Sequence, residues 1–323
     1  MPNRALIQNM IRVMFMGTPD FSVQSFEALF AHKDCNVVCA VTNPDRPKGR
    51  GHKKVHPPVY SAAEKHGIKI YQPENLKKEN FETILNTEKP DLIVVVAFGM
   101  FLPQYVLDFP KYGCINVHAS LLPKYRGAAP MQWCIINGEK KTGVTTMYMA
   151  KGIDTGDILL KDETQIADDD TFETIHNRLM VMGAKLLCKT VDALLDGSAV
   201  RIPQDESESS YVSVINKADS VINWNKNAYS IHNLVRGLYP YPKAVTSYMG
   251  TRIKIEKTEA FDMCHNEKGG TVTDVDKNSF TVACADNTAL KVLVIQPEGK
   301  KSMPVSAYLL GNSVKLNTKL GDD

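Results

Sequence analysis

Residues 91–97, Asp91-Leu92-Ile93-Val94-Val95-Val96-Ala97, decide the fold class. The run is apolar and β-branched and does not alternate. That is the pattern of a central parallel strand covered on both faces. Upstream, Ile11–Met16 reads as a strand, the residues from Phe21 to about His32 as a helix, and Val37–Val41 as a second strand. Strand, helix and strand at this spacing form a βαβ unit and hence a parallel α/β sheet. The turn after the first strand, Gly17-Thr18-Pro19-Asp20, holds a single glycine. A dinucleotide fingerprint needs GxGxxG and a phosphate loop needs GxxxxGK[ST], so nicotinamide and nucleoside-triphosphate chemistry lose their main support.

Downstream of the central strand lies Cys114–Pro130, CINVHASLLPKYRGAAP. In an extended strand, successive side chains point to opposite faces. Asn116 and His118 therefore share one face, and Ile115 and Val117 take the other. Open α/β sheets bind ligands at the carboxyl ends of their strands. His118 falls at that edge, so the pair reads as a site; an edge strand with a solvated polar face is the alternative. After the strand Gly143–Tyr148 comes Gly152-Ile153-Asp154-Thr155-Gly156-Asp157. Asp154 is either an Asx-type turn residue or a carboxylate presented to the cleft, and spacing does not decide between them.

The segment Asn43–Val59 carries Arg46, Lys48, Arg50, Lys53 and Lys54 against one acid, Asp45. The whole chain of 323 residues has a formal charge of only +2, so this local concentration is the notable feature. Its four prolines exclude a helix or a central strand. A long loop here is either a mobile grip for phosphates or a solvated surface loop. Asp170–Glu173 looks like a capping box with Asp170 as N-cap, opening a helix that continues to Leu194. Residues 202–210 are acidic and Ser-rich and read as a linker. Beyond them, short strands separated by turn residues suggest a small β-barrel.

With 43% apolar and 23% charged residues, the composition is that of a soluble globular protein. No apolar run approaches the roughly 18 residues of a membrane span, and no secretory signal is read at the N-terminus. Seven cysteines without a CxxC pair point to buried, reduced thiols and a cytoplasmic setting.

Asn116, His118 and Asp154 suit acyl transfer to an amine. A tetrahedral oxyanion needs donors, and the attacking ammonium must lose a proton. No serine or cysteine stands in a nucleophile motif, so direct transfer is the natural chemistry. One His with one Asp is too few ligands for a metal.

The chain resembles the folate-dependent formyltransferases. The likeness rests on Asn116–Pro123, Tyr125–Pro130 and Gly152–Asp157, together with the opening Phe15–Phe21. It extends over nearly the whole chain, from about Ile11 to Gly311. The insertion and the barrel point to the branch of that family acting on methionyl initiator tRNA. The resemblance implies a Rossmann-like catalytic domain over 1–201 with the basic insertion 43–59, a linker at 202–210, and an OB-like barrel over 211–323 that holds tRNA. It implies 10-formyltetrahydrofolate as donor, no metal, no membrane, and a monomer. Asn116 and His118 would stabilise the oxyanion, and Asp154 would set the charge of His118 and help deprotonate the amine. Ser120, Leu121, Leu122 and Pro123 would line the folate site. Arg46, Lys48, Arg50, Lys53 and Lys54 would contact tRNA, Arg50 foremost. Many relatives carry Gly where Ala119 stands. A nucleotide-linked amino sugar as acceptor and a non-catalytic tRNA-binding protein are the competing expectations.

Overall fold

The computed structural model describes residues 10–48 and 53–321, with only the backbone of Pro47, Lys48, Lys53 and Lys54. The chain divides into two compact units. The first comprises Met1–Gly127, Thr142–Thr164 and His176–Tyr211; the second comprises Ala128–Lys141, Gln165–Ile175 and Val212–Asp323. Residues 202–210 thus belong to the first unit, and two earlier segments belong with the C-terminal one.

The strands of the first unit are β1 (Ile11–Gly17), β2 (Cys35–Val41), β5 (Lys69–Tyr71), β6 (Leu92–Val96), β7 (Cys114–His118), β9 (Lys141–Tyr148) and β10 (Ile158–Gln165), with β3 (Arg46–Lys48), β4 (Lys53–Val55) and β8 (Arg126–Gly127) outside the main sheet. The sheet order is β10-β9-β7-β6-β1-β2-β5. The five strands from β5 to β7 are mutually parallel. The pairing of β7 with β9 is antiparallel, so the sheet is mixed rather than wholly parallel. Every residue of β6 is buried, as its unbroken apolar run requires.

Helices cover both faces. Met14, Met16, Ile93 and Val95 pack with Phe81 and Leu85 of α3 (Lys78–Glu88) and with Val106 of α4 (Gln104–Leu107). On the other face, Phe15 meets Phe26 of α1 (Val23–Phe30) edge-on, with ring centroids 5.5 Å apart. The long helix α6 (Phe172–Asp196) brings Gly183 so close to β7 that a Cβ there would lie 3.0 Å from Val117 Cγ1. This helix is capped by Thr171 and not by Asp170. Thr171 Oγ1 accepts from the Thr174 N–H at 3.3 Å, and Thr174 Oγ1 accepts from the Thr171 N–H at 2.9 Å. Asp170 is occupied one residue earlier, accepting from the Ala167 N–H and the Thr174 hydroxyl.

The basic insertion also departs from the loop expected of it. Arg46–Lys48 and Lys53–Val55 pair as an antiparallel hairpin, with Pro47 opposite Lys54. A two-strand ribbon has only edges, where a missing N–H is tolerated. Helix α2 (Pro58–Lys65) follows directly.

After the short strand β11 (Tyr211–Val212), β12 (Ala244–Tyr248), β13 (Thr251–Asp262), β14 (Val272–Val275), β15 (Phe280–Cys284) and β16 (Thr288–Pro297) of the second unit form an antiparallel sheet in the order β12-β13-β16-β15-β14, with β17 (Met303–Pro304) added to β16. The chain's last described residues close it. Tyr248 at one edge bridges Leu320, and Thr271 beside the other bridges Lys319. Joining the two edges this way removes the exposed ladders an open sheet would present. Helix α7 (Ala228–Gly237), capped by the Asn227 side chain, contributes Ile231 and Val235 to the core. Helix α5 (Pro130–Ile136) packs on α7 closely enough that a Cβ on Gly237 would lie 2.7 Å from Ile136 Cγ1. Among the described residues, no helix is long and apolar enough to cross a membrane.

Candidate active site

The end of β7 sets the geometry. Ile115 and Val117 are buried in the core, and Asn116 and His118 face the other way, as the period of two demands. The chain then turns through 119–127 and comes back along the site. Tyr125 and Gly127 both have positive φ, 61° and 98°, which turns their backbone groups inward. At Gly127 this conformation favours a residue without a Cβ.

That return loop holds both ionisable side chains. His118 Nε2 lies 2.9 Å from the Tyr125 carbonyl oxygen. A carbonyl only accepts, so Nε2 carries a proton and the ring orientation is fixed. Nδ1 is left facing Asp154, whose Oδ2 is 3.6 Å away. The same Asp154 oxygen accepts from the Gly127 N–H at 2.8 Å. Both side chains are largely withdrawn from solvent, at 7% and 16% exposure, so their mutual field is weakly screened. The Asn116 side chain is half-buried and makes no hydrogen bond to another described residue, leaving its amide available to a ligand.

Asp154 sits on the loop joining β9 to β10 with φ 52°, a left-handed turn that Asp tolerates better than most residues. Both readings of this residue therefore hold: it is a turn residue, and its carboxylate faces the site. The loop is fixed by Gln204, whose Nε2 donates to the Asp154 carbonyl at 2.8 Å and to the Gly156 carbonyl at 2.7 Å. Gly156 has no alternative here, since a Cβ would fall 1.7 Å from the Tyr148 carbonyl oxygen.

Gln204 is itself held by Arg126. The guanidinium is fully buried; Nε donates to Gln204 Oε1 at 3.0 Å, while Nη1 and Nη2 make a bidentate pair with Glu206 at 2.9 and 2.8 Å. Tyr211 supplies a further partner at 2.9 Å. The pairing holds the Glu206 carboxyl below its ordinary range and the Arg126 guanidinium above its own. Arg126 was legible as part of a motif, and Gln204 was hidden in what reads as a linker.

The 120–123 segment is divided. Ser120 and Leu122 are buried, Ser120 Oγ donating to the Lys124 carbonyl and Leu122 packing on Met147 and Ile158. Leu121 and Pro123 keep partial exposure. A cavity of about 660 Å³ opens at the start of β7, lined by Leu107, Cys114, Tyr148, Met149 and Ala150 among others. Its charged and polar lining includes Asp108, Lys111, Lys151 and Arg201, and it lies at the opposite end of β7 from His118. Burial pushes the Cys114 thiol up to about 12, which removes it as a nucleophile.

Arg46 is exposed at the start of the hairpin, and Lys48, Lys53 and Lys54 are placed on its two strands. Arg50 lies outside the described residues. Among those described, one group brings three metal-type ligand atoms within 4.8 Å, namely His32, Asp34 and Asp192. Both nitrogens of His32 are engaged, Nδ1 by the Asp34 N–H and Nε2 by Asp192.

Comparison with known proteins gives the class of the chain. The formyl transferase model matches residues 10–191, and the formyl transferase C-terminal domain model matches residues 214–313. The chain belongs to the formyl transferase family. It is 47% identical over 314 residues to a methionyl-tRNA formyltransferase of Clostridium botulinum, an alignment covering 97% of this chain and all of that one. It is 42% identical over 311 residues to a methionyl-tRNA formyltransferase of Geotalea daltonii, covering 96% and 98%. Its fold matches that of an N-formyltransferase from Helicobacter canadensis in complex with folinic acid and dTDP-3-aminofucose, with a TM-score of 0.65, 22% identity, and coverage of 89% and 100%.

Proposed function

We propose that the protein transfers the formyl group of 10-formyltetrahydrofolate to the α-amino group of methionyl initiator tRNA, in the cytoplasm and as a monomer. The observation that carries the chemistry is the arrangement of Asn116, His118 and Asp154, with His118 Nδ1 turned toward Asp154 and the Asn116 amide uncommitted. The acceptor follows the relatives named above, which share over two-fifths of their residues with this chain across nearly its full length. The folate donor follows the folinic acid complex of the structural neighbour.

The amine lone pair forms the new bond to the formyl carbon, and the carbonyl electron pair moves onto oxygen. The Asn116 amide and a protonated His118 Nδ1 donate to that oxyanion. The amine proton leaves toward Asp154. Collapse of the oxyanion breaks the bond to the donor nitrogen, which takes a proton as it departs. No covalent enzyme intermediate is required. Ser120, Leu121, Leu122 and Pro123, which follow His118 in the chain, line the donor site. The cations of the insertion, Arg46, Lys48, Arg50, Lys53 and Lys54, attract the backbone phosphates of the acceptor end, and the barrel holds more of the tRNA.

The test is direct. The protein is incubated with formyltetrahydrofolate and charged initiator tRNA, and formylmethionine is sought. Product with tRNA supports the reading; formylation of a sugar nucleotide instead moves the acceptor, and tRNA binding without transfer removes the catalytic role.

A further inference from the structure

The foot of the basic hairpin is built more firmly than a phosphate grip requires. His56 closes the segment, and its Nδ1 donates to the two oxygens of Asp45 at 3.0 and 2.9 Å. Gln72 Nε2 reaches the same carboxylate at 2.9 Å and the Asn43 carbonyl at 2.9 Å. On one face, the His56 ring lies flat on Tyr60, with centroids 4.0 Å apart and planes 6° from parallel. Yet the His56 side chain stays 49% exposed. With one ring face covered and one nitrogen bonded, that exposure belongs to the opposite face and the Nε2 edge.

The location is equally specific. Asn43 follows β2, and its side-chain amide donates to the Phe98 carbonyl at 3.0 Å just beyond β6. The Val59 N–H meets the Thr18 carbonyl just beyond β1. The hairpin thus rises from the carboxyl edge of the sheet, the edge at which His118 ends β7.

A planar ring, fixed from behind and open in front at the foot of a cationic ribbon, is what an unstacked nucleobase requires. We infer that His56 is a stacking platform for an unpaired base of the acceptor strand, a contact that rests on the tRNA reading above. Asp45 and Tyr60 are its positioning residues. The flanking cations hold the backbone through charge, and His56 holds one base through its π face.

The experiment compares steady-state formylation of charged initiator tRNA by the full-length wild type, His56→Ala, His56→Phe and Arg46→Ala at low and high salt, with thermal melting as a control. His56→Ala raises KM for tRNA by on the order of tenfold, leaving kcat and the donor KM near wild type. His56→Phe keeps a flat ring on Tyr60 and recovers most of that loss. The ratio between these two variants persists at high salt, whereas the Arg46→Ala defect shrinks as charge is screened. An unchanged tRNA KM in His56→Ala overturns the proposal, as does a His56→Phe variant no better than His56→Ala. A wild-type protein that formylates a sugar nucleotide and not tRNA overturns the underlying reading instead, so the two failures are distinguishable.

Discussion

Gln204→Ala tests whether the polar segment after β10 supports catalysis. The substitution removes two of the bonds that hold the Asp154 loop, at 2.8 and 2.7 Å, and the acceptor of Arg126 Nε at 3.0 Å. A neutral bond contributes about 1 kcal/mol net and a charge-assisted one about 2, which sums to about 4 kcal/mol. Gln204 is half-buried, so water replaces part of this, and Arg126 keeps Glu206 and Tyr211. The expected loss of stability is therefore about 2 kcal/mol. The rate should suffer more. Asp154 occupies a left-handed turn at φ 52° and keeps only its bond from the Gly127 N–H once the Gln204 bonds are gone. A displacement of about 1 Å in a catalytic group costs on the order of a hundredfold in rate. The assays are urea unfolding and steady-state formylation, with kcat and both KM values separated. Gln204→Glu is the companion, since it keeps the length but cannot donate to two carbonyls. A stability change under about 0.5 kcal/mol together with kcat within twofold of wild type would refute the reasoning.

His118→Ala abolishes transfer while tRNA binding persists; turnover at the wild-type rate would remove His118 from the mechanism. Arg50→Ala weakens productive use of tRNA and leaves the donor site intact, and an effect on donor affinity alone would show the insertion to be misassigned. His232 supplies a pH dependence in the C-terminal unit. Burial lowers its native pKa, and its ring is bonded to Thr258 Oγ1 at 2.9 Å and the Asp168 carbonyl at 3.2 Å. Below the ordinary value of about 6.5 the unfolded state binds the proton first, so stability falls with pH from there down to the lowered native value. Urea unfolding at pH 5.5 and 7.5 should show a drop in the wild type that His232→Gln lessens; equal drops in both would exclude His232 as the cause.

Much of this was legible in the chain because it is a matter of local pattern. The unbroken Leu92–Val96 run could only be a central strand, and the two-residue period of Cys114–His118 put Asn116 and His118 on one face. The insertion declared itself by charge, but its pairing did not, because prolines argue against strands and only a two-strand ribbon forgives them. The cap at Thr171 was missed for a related reason. Asp170 and Thr171 are both good caps by composition, and the choice depended on where Ala167 and Thr174 came to lie.

What the tertiary structure alone decided is how distant segments share one site. Gly127, Asp154 and Gln204 are widely separated along the chain, and no periodicity links them. Their meeting depends on backbone groups, the Gly127 N–H and the Asp154 and Gly156 carbonyls, which every residue possesses and which leave no mark in a sequence. The same holds for which nitrogen of His118 faces Asp154. Residue type supplied an imidazole; the Tyr125 carbonyl, brought back by a turn with positive φ, took Nε2 and left Nδ1 for Asp154.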